Sequence, residues 1–228
     1  MNPLLMAAAK IRKPKLNNKL FGRDLVAGTM DYGYYGEFGG SEVIGGGPLN
    51  TLVGYGTNGM INTMSGWLGF AIGGKKLLIA KRPIRRSVSW TSLKQRNCID
   101  GNRTITLSSQ NNQEVILRLP RGANINPVTI KDTGWNHPST HGSEWNLMMY
   151  SVVDTARSDY LPFECGRFAK FTQLELGFSG EGRYSWCQEL VDSYDGRVFR
   201  TAVTIISSQY PDNTSTDMGW RPVLELIE

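Results

Sequence analysis

Apolar and polar positions change their rhythm twice along the chain. Residues 1–20 show no period. They read as an extended arm in which apolar Leu4, Leu5 and Met6 precede basic Lys10, Arg12, Lys13 and Lys15. Residues 21–66 set glycines between single apolar or aromatic residues such as Tyr32, Tyr34, Tyr35 and Phe38. One short helix is predicted there, starting at Ser41 or at Pro48 and running to Val53. From Trp67 the pattern becomes strand-like. Trp67–Ile72 leads into Gly73-Gly74, a two-residue hairpin turn, and Leu77–Ala80 returns before Pro83 ends the pair.

Further on, Ser87–Leu93 predicts a helix start capped by Ser89 or Thr91. Arg103–Leu107 and Glu114–Leu119 predict a second hairpin around the polar 108–113 turn, with Val115, Leu117 and Leu119 on one face. Gly142–Tyr150 is the clearest helix, with Ser143 as N-cap and Glu144 in its first turn. Trp145, Met148 and Met149 form a stripe on one side. Trp186–Leu190, Arg197–Thr204 and Trp220–Ile227 supply the last elements, the latter two as strands. Short strands, few helices and long loops make an α+β chain. No β-α-β alternation points to a Rossmann-type sheet.

Composition narrows this picture. Of the 26 glycines, 16 lie between Gly22 and Gly74, which argues for turns and against helix in the first third. The net charge of +5 is dispersed, and the one basic cluster has no aromatic before Phe21, so nucleic-acid binding is not expected. No run approaches the roughly 20 apolar residues of a membrane span. Met1–Lys10 is unlike a signal peptide in order, since the positive charges follow a short apolar stretch. It suits a peg for a partner groove, with Leu16 and the basic residues continuing the contact.

Cys98, Cys165 and Cys187 are odd in number and widely spaced, which suits reduced, buried thiols. His137 and His141 are four apart, but Pro138 and flanking glycines make their segment a loop, so no metal site is expected. Asp192, Asp195, Asp212, Asn213 and Asp217 lie in late loops without a calcium-ligand motif and read as turn residues. Trp135, in a Gly/Pro loop, is a recognition residue by its setting, and His137 and His141 share that loop. Trp67, Trp90, Trp145, Trp186 and Trp220 read as core, and Arg85, Arg86, Arg121 and Arg221, beside these strands, as structural ion pairs rather than protein contacts. No catalytic residue and no cofactor is expected.

A set of short blocks recurs here in one order. It includes Leu25–Glu37, Trp67–Phe70, Ile79–Ile84, Ser87–Trp90, Arg118–Ala123, Gly142–Asn146, Cys187–Glu189, Arg197–Arg200 and Gly219–Glu225. In this the chain from about residue 25 resembles a family of tailed-bacteriophage virion structural proteins. More weakly it resembles the C-type-lectin-like fold of formylglycine-generating enzymes and phage receptor-binding proteins. There a Val-Ser-Trp helix start precedes an Arg-Leu-Pro segment and a Glu-Trp helix.

The resemblance implies a C-type-lectin-like body over residues 21–228, its first part (21–66) Gly-rich, with residues 1–20 docked on a neighbouring subunit. It implies a non-enzymatic structural protein of the phage particle, assembled in the host cytoplasm. Its partners would be other virion proteins of tail, collar, baseplate or capsid, contacted in multiple copies. The alternative is an adhesin for a host glycan or receptor that uses the loops around Trp135, Asp192–Asp195 and Asp212–Asp217. An oxidase of the formylglycine-generating type would need a reactive pair from Cys165 and Cys187, whose neighbours include no His or Lys.

Overall fold

The hairpin expected over Trp67–Ala80 forms, with strands Trp67–Ile72 and Lys75–Ala80. The computed structural model describes residues 18–129, 134–135, 140–154, 164–192, 194–201 and 205–227, with the backbone alone at 134, 135 and 205. Strand β1 is Ala27–Gly28, β2 Tyr32–Phe38, β3 Trp67–Ile72 and β4 Lys75–Ala80. Strand β5 is Arg85–Arg86, β6 Arg103–Leu107 and β7 Gln113–Arg118. The later strands are β8 Gly134–Trp135, β9 Tyr184–Leu190, β10 Arg197–Thr201, β11 Ile205–Gln209, β12 Met218–Trp220 and β13 Val223–Leu226. Helix α1 spans Gly46–Leu52 and α2 Trp90–Gln95.

The strands form two sheets. One has the order β1-β2-β3-β4-β13-β7-β6 and the other β5-β12-β9-β10-β11-β8. Among the described strands, all pairings are antiparallel except β12 with β9. The described chain is thus a mostly antiparallel, sheet-rich α+β fold with few short helices.

The Trp67–Ala80 hairpin turns on Gly73 and Gly74, both at positive φ (56° and 81°), the geometry that a tight primed turn demands. In β3, Trp67 to Ala71 are buried without interruption. An antiparallel strand with one wet face would alternate, so this run signals cover on both faces. Trp67, Ala71, Leu78, Ala80 and Leu224 join one apolar cluster with α1, α2 and Trp220. Their neighbours Leu68, Phe70, Leu77, Ile79 and Val223 join a second cluster with Trp145, Met148 and Met149. Tryptophan N–H groups fix the loops to this frame. Trp67 donates to Ile44 O (2.8 Å), Trp90 to Cys187 O (3.0 Å) and Trp186 to Val88 O (2.7 Å).

Several expectations shift in detail. Ser89 is the cap of α2, accepting from Ser92 N at 3.1 Å. The expected helix after Ser143 forms as a π-helix over Asn146–Tyr150, with Ser143 Oγ accepting from Asn146 N. The closing block is two strands. Arg221-Pro222 separates β12, in the second sheet, from β13, in the first, because Pro222 has no N–H to continue a ladder. Leu20 is fully buried and packs in the first cluster, and Tyr35 Oη donates to Asn18 O at 2.7 Å. Of the 1–20 arm, residues 1–17 lie outside the described residues.

Gly219 shows how closely β12 approaches the segment that leads into β9, its neighbour in the same sheet. A Cβ there would sit 2.1 Å from Gly182 O, a backbone atom that cannot swing away. Gly219→Ala is expected to lower stability by about 2 kcal/mol, within the range for overpacked cores. A urea-unfolding midpoint equal to that of the parent protein would show that the strand can shift at no cost.

Candidate functional site

The block Arg118-Leu-Pro-Arg-Gly-Ala123 leaves the end of β7 and is pinned on both sides. Gln188 donates to Pro120 O from its backbone (3.2 Å) and to Leu119 O from its side chain (2.7 Å). Gly122 N donates to Glu189 Oε2 at 3.0 Å, and Gly122 O accepts from Arg200. On the other side, Arg121 N donates to Glu144 Oε2 (3.0 Å) and Arg121 O accepts from Trp145 N (2.9 Å).

Beside this segment lies a cleft of about 360 Å³. Its floor is a charged network. Arg118 donates both Nη atoms to the two oxygens of Glu144 (2.7 and 2.6 Å) and its Nε to Glu225 Oε2 (3.0 Å). Lys75 Nζ closes the chain on Glu225 Oε1 at 2.6 Å. Burial works against the charge of Arg118, but Glu144 and then Glu225 outweigh it, and its pKa is raised. Burial likewise pushes the Glu225 carboxyl up, and the Lys75 and Arg118 bonds bring it below its ordinary value. The rim adds Arg121 and Asn124, both exposed, and the apolar strip is Ile72, Leu77 and Leu147. Asn124 Nδ2 donates to His141 O at 2.9 Å.

A second opening, of about 280 Å³, is lined by Ile61, Pro83, Leu174 and the charged pair of positions Arg82 and Glu181. Leu174 is 69% exposed and Met64, near Ile61 in sequence, 70%.

Behind the first cleft sit charges that the fold encloses. Arg200 donates to Asn146 Oδ1 at 2.8 Å as well as to Gly122. Burial raises the Glu189 carboxyl to about 7, although N–H groups of Gly122, Glu189 itself and Ala123 partly counter it. Cys187 is wholly enclosed, and burial, with Glu189 next, pushes its thiol well up. Burial also raises Cys98, to about 11, and Cys165. All three thiols are therefore held protonated at neutral pH, the opposite of an activated nucleophile.

The residues singled out in the sequence fall in different places. Asp217 pairs with Arg183 (2.9 Å), Asp195 with Arg197 (2.7 Å), and Asn213 Oδ1 accepts from Ser215 N (2.8 Å) as a turn residue. Asp192 is exposed, and its N–H donates to Val128 O. His141 is exposed beside the cleft, while His137 and the Trp135 side chain lie outside the described residues. Leu4, Leu5, Met6, Lys10, Arg12, Lys13, Lys15 and Leu16 lie outside them too. Trp67, Trp90, Trp145, Trp186, Trp220 and Arg221 are all buried. Arg221 is held by carbonyls rather than by a carboxylate. No group of three or more His, Cys, Asp or Glu among the described residues is placed to hold a metal. No described helix is long and apolar enough to cross a membrane.

Sequence reasoning passed over Arg118, Glu144's bidentate role, Glu189 and Arg200. Arg118 and Arg200 end apolar runs (Val-Ile-Leu-Arg and Val-Phe-Arg), and that position inside a strand is the one signal of an enclosed guanidinium. Comparison with known families, curated proteins and solved structures finds no match to this chain.

Proposed function

We propose that this chain is a non-enzymatic structural component of a tailed-phage particle, with a C-type-lectin-like body and an arm before residue 18 that anchors it on a neighbouring virion protein. The order of sequence blocks supports the setting. The observation that carries the non-enzymatic part is the use of the enclosed polar groups. Arg118, Arg200 and Arg221 are bonded within the fold, and the three thiols are buried and protonated. The exposed apolar side chains Val26, Met64, Leu174 and Tyr210 suit contact with other proteins in an assembly.

Removal of residues 2–17 tests the anchor. The deletion keeps Leu20 and its packing, so the body should melt as before while incorporation into particles falls to background. Full occupancy of the truncated chain in purified particles would sink the anchoring idea. Cys165→Ser and Cys187→Ser should leave incorporation and infectivity close to unchanged. A loss of infectivity with normal particle assembly would instead favour the oxidase reading.

A second reading, an adhesin displayed on tail or capsid, is favoured by one feature, the polar cleft beside Arg121. Binding of the isolated chain to a glycan array tests it.

A further inference from the structure

The cleft beside Arg121 has the chemistry of a ligand site. About 360 Å³ stands near the lower end of small-molecule pockets, enough for one sugar-sized ring with substituents. Its walls come from the β3–β4 turn, β7, the 121–124 segment, the start of the π-helical turn and β13, so it is assembled only by the folded chain.

The charges along it do not cancel. Lys75, Arg118 and Arg121 face Glu144 and Glu225, an excess of one positive charge. Arg118 directs all its bonds into the two glutamates and Leu119 O, and Lys75 is bridged to Glu225. The excess therefore resides on Arg121, whose guanidinium has no partner among the described residues. Its backbone, by contrast, is fixed at both N–H and C=O by the 144–145 turn. A guanidinium on a fixed stem, with free donors in a planar fork, is matched by a carboxylate.

The acceptors are also in surplus. Each carboxylate oxygen offers about two lone-pair sites. Glu225 Oε1 receives one side-chain hydrogen bond, from Lys75, and Glu144 Oε1 one, from Arg118. Asn124 uses its amide N–H on His141 O, leaving its carbonyl oxygen as an acceptor at the rim. Acceptors in surplus call for hydroxyl donors on the occupant, and Ile72, Leu77 and Leu147 offer an apolar strip for ring C–H groups.

We propose that the cleft binds an acidic monosaccharide unit, a pyranose bearing one carboxylate, with the carboxylate on Arg121 and ring hydroxyls on Glu144, Glu225 and Asn124. The proposal deepens the adhesin reading and rests on it by naming the ligand class. It needs no metal ion, because the protein itself supplies the positive charge.

The probe is glucuronate, titrated into the full chain by isothermal calorimetry and followed by NMR shifts, with glucose and acetate as references. Saturable binding in the millimolar range is expected for glucuronate. Binding at least about tenfold weaker is expected for both references, since each lacks one half of the recognition. Arg121→Glu should abolish binding and leave the melting temperature unchanged, because the side chain is exposed. Glu144→Gln keeps an acceptor and should weaken binding by a smaller factor.

Three results overturn the proposal: no saturable glucuronate binding, acetate binding as tightly as glucuronate, or an Arg121→Glu variant that binds like the parent. A glycan array run beside the titration separates this failure from failure of the adhesin reading. Array binding to neutral glycans, insensitive to Arg121→Glu, refutes the cleft and leaves the adhesin standing. A blank array with no glucuronate binding removes both.

Discussion

Arg221→Leu is expected to prevent folding, and Arg221→Lys to lower stability by about 3 kcal/mol even though it keeps the charge. Arg221 has no exposed surface. Its guanidinium donates to Ala80 O (3.0 Å), to Lys81 O, to Leu176 O (2.6 Å) and to Ser185 Oγ (3.3 Å). Those acceptors belong to the end of β4, the turn after it, the 172–178 loop and β9. The chain passes from one sheet to the other at this residue. The side chain therefore ties together the elements that the crossing brings side by side.

Trp145 and Phe178 add ring faces 5.7 and 5.2 Å from the guanidinium carbon. Burial lowers the pKa of the guanidinium to about 9, and the group still carries its charge at neutral pH. An apolar replacement leaves Leu176 O and Lys81 O without this donor inside the protein, at about 1–3 kcal/mol each. Lysine has three donors on one nitrogen and cannot span the same fork. Urea unfolding of the lysine variant, monitored by tryptophan fluorescence, gives the number. A midpoint within error of the parent would mean that the carbonyls find other partners.

The same residue shows how far the sequence could be read. Gly219-Trp-Arg-Pro222 is legible as a closing block, and its pairing with the Trp67–Trp90 stretch is what the sheets contain: β13 lies on β4, and β12 on β5. Two-residue glycine turns, alternation in Val115–Leu119 and the Ser89 cap are local signals, and local signals survive in a single sequence.

Strand β2 was not legible. Tyr32-Gly-Tyr-Tyr-Gly-Glu-Phe38 carries two glycines, which weigh against a strand. Here they are required. A Cβ on Gly33 would lie 2.4 Å from Thr29 O, and Gly36 takes φ 102° at the register shift against β3. The cleft was hidden for another reason. Its residues lie on five segments, and a strand pattern does not tell an arginine that faces water from one that faces two glutamates. Glu144 in the first turn of a helix looks like a partner of the helix dipole, whereas its actual partner, Arg118, is 26 residues away.

Glu189 should give the folded protein a pH dependence of unusual sign. Its carboxyl is raised from 4.5 to about 7 chiefly by burial, with Glu144 adding repulsion. The groups around it are Cys187, itself held protonated, and Arg200, which is directed to Gly122 O and Asn146. An acid with a raised folded pKa binds its proton more tightly when folded. Its contribution is therefore fully present below about pH 4.5 and is lost as pH climbs through about 7. The rise corresponds to roughly 3 kcal/mol.

Glu189→Gln carries no charge to bury, and its amide oxygen can still accept from Gly122 N. The variant should match or exceed the parent in stability at pH 8 and fall slightly below it at pH 5, where the parent carboxyl is protonated. Other carboxylates titrate in both proteins, so the difference between the two stability curves isolates this group. Chemical unfolding at half-unit steps from pH 5 to 8 measures it. Parallel curves for parent and variant would show that Glu189 ionises in the folded state as it does in water.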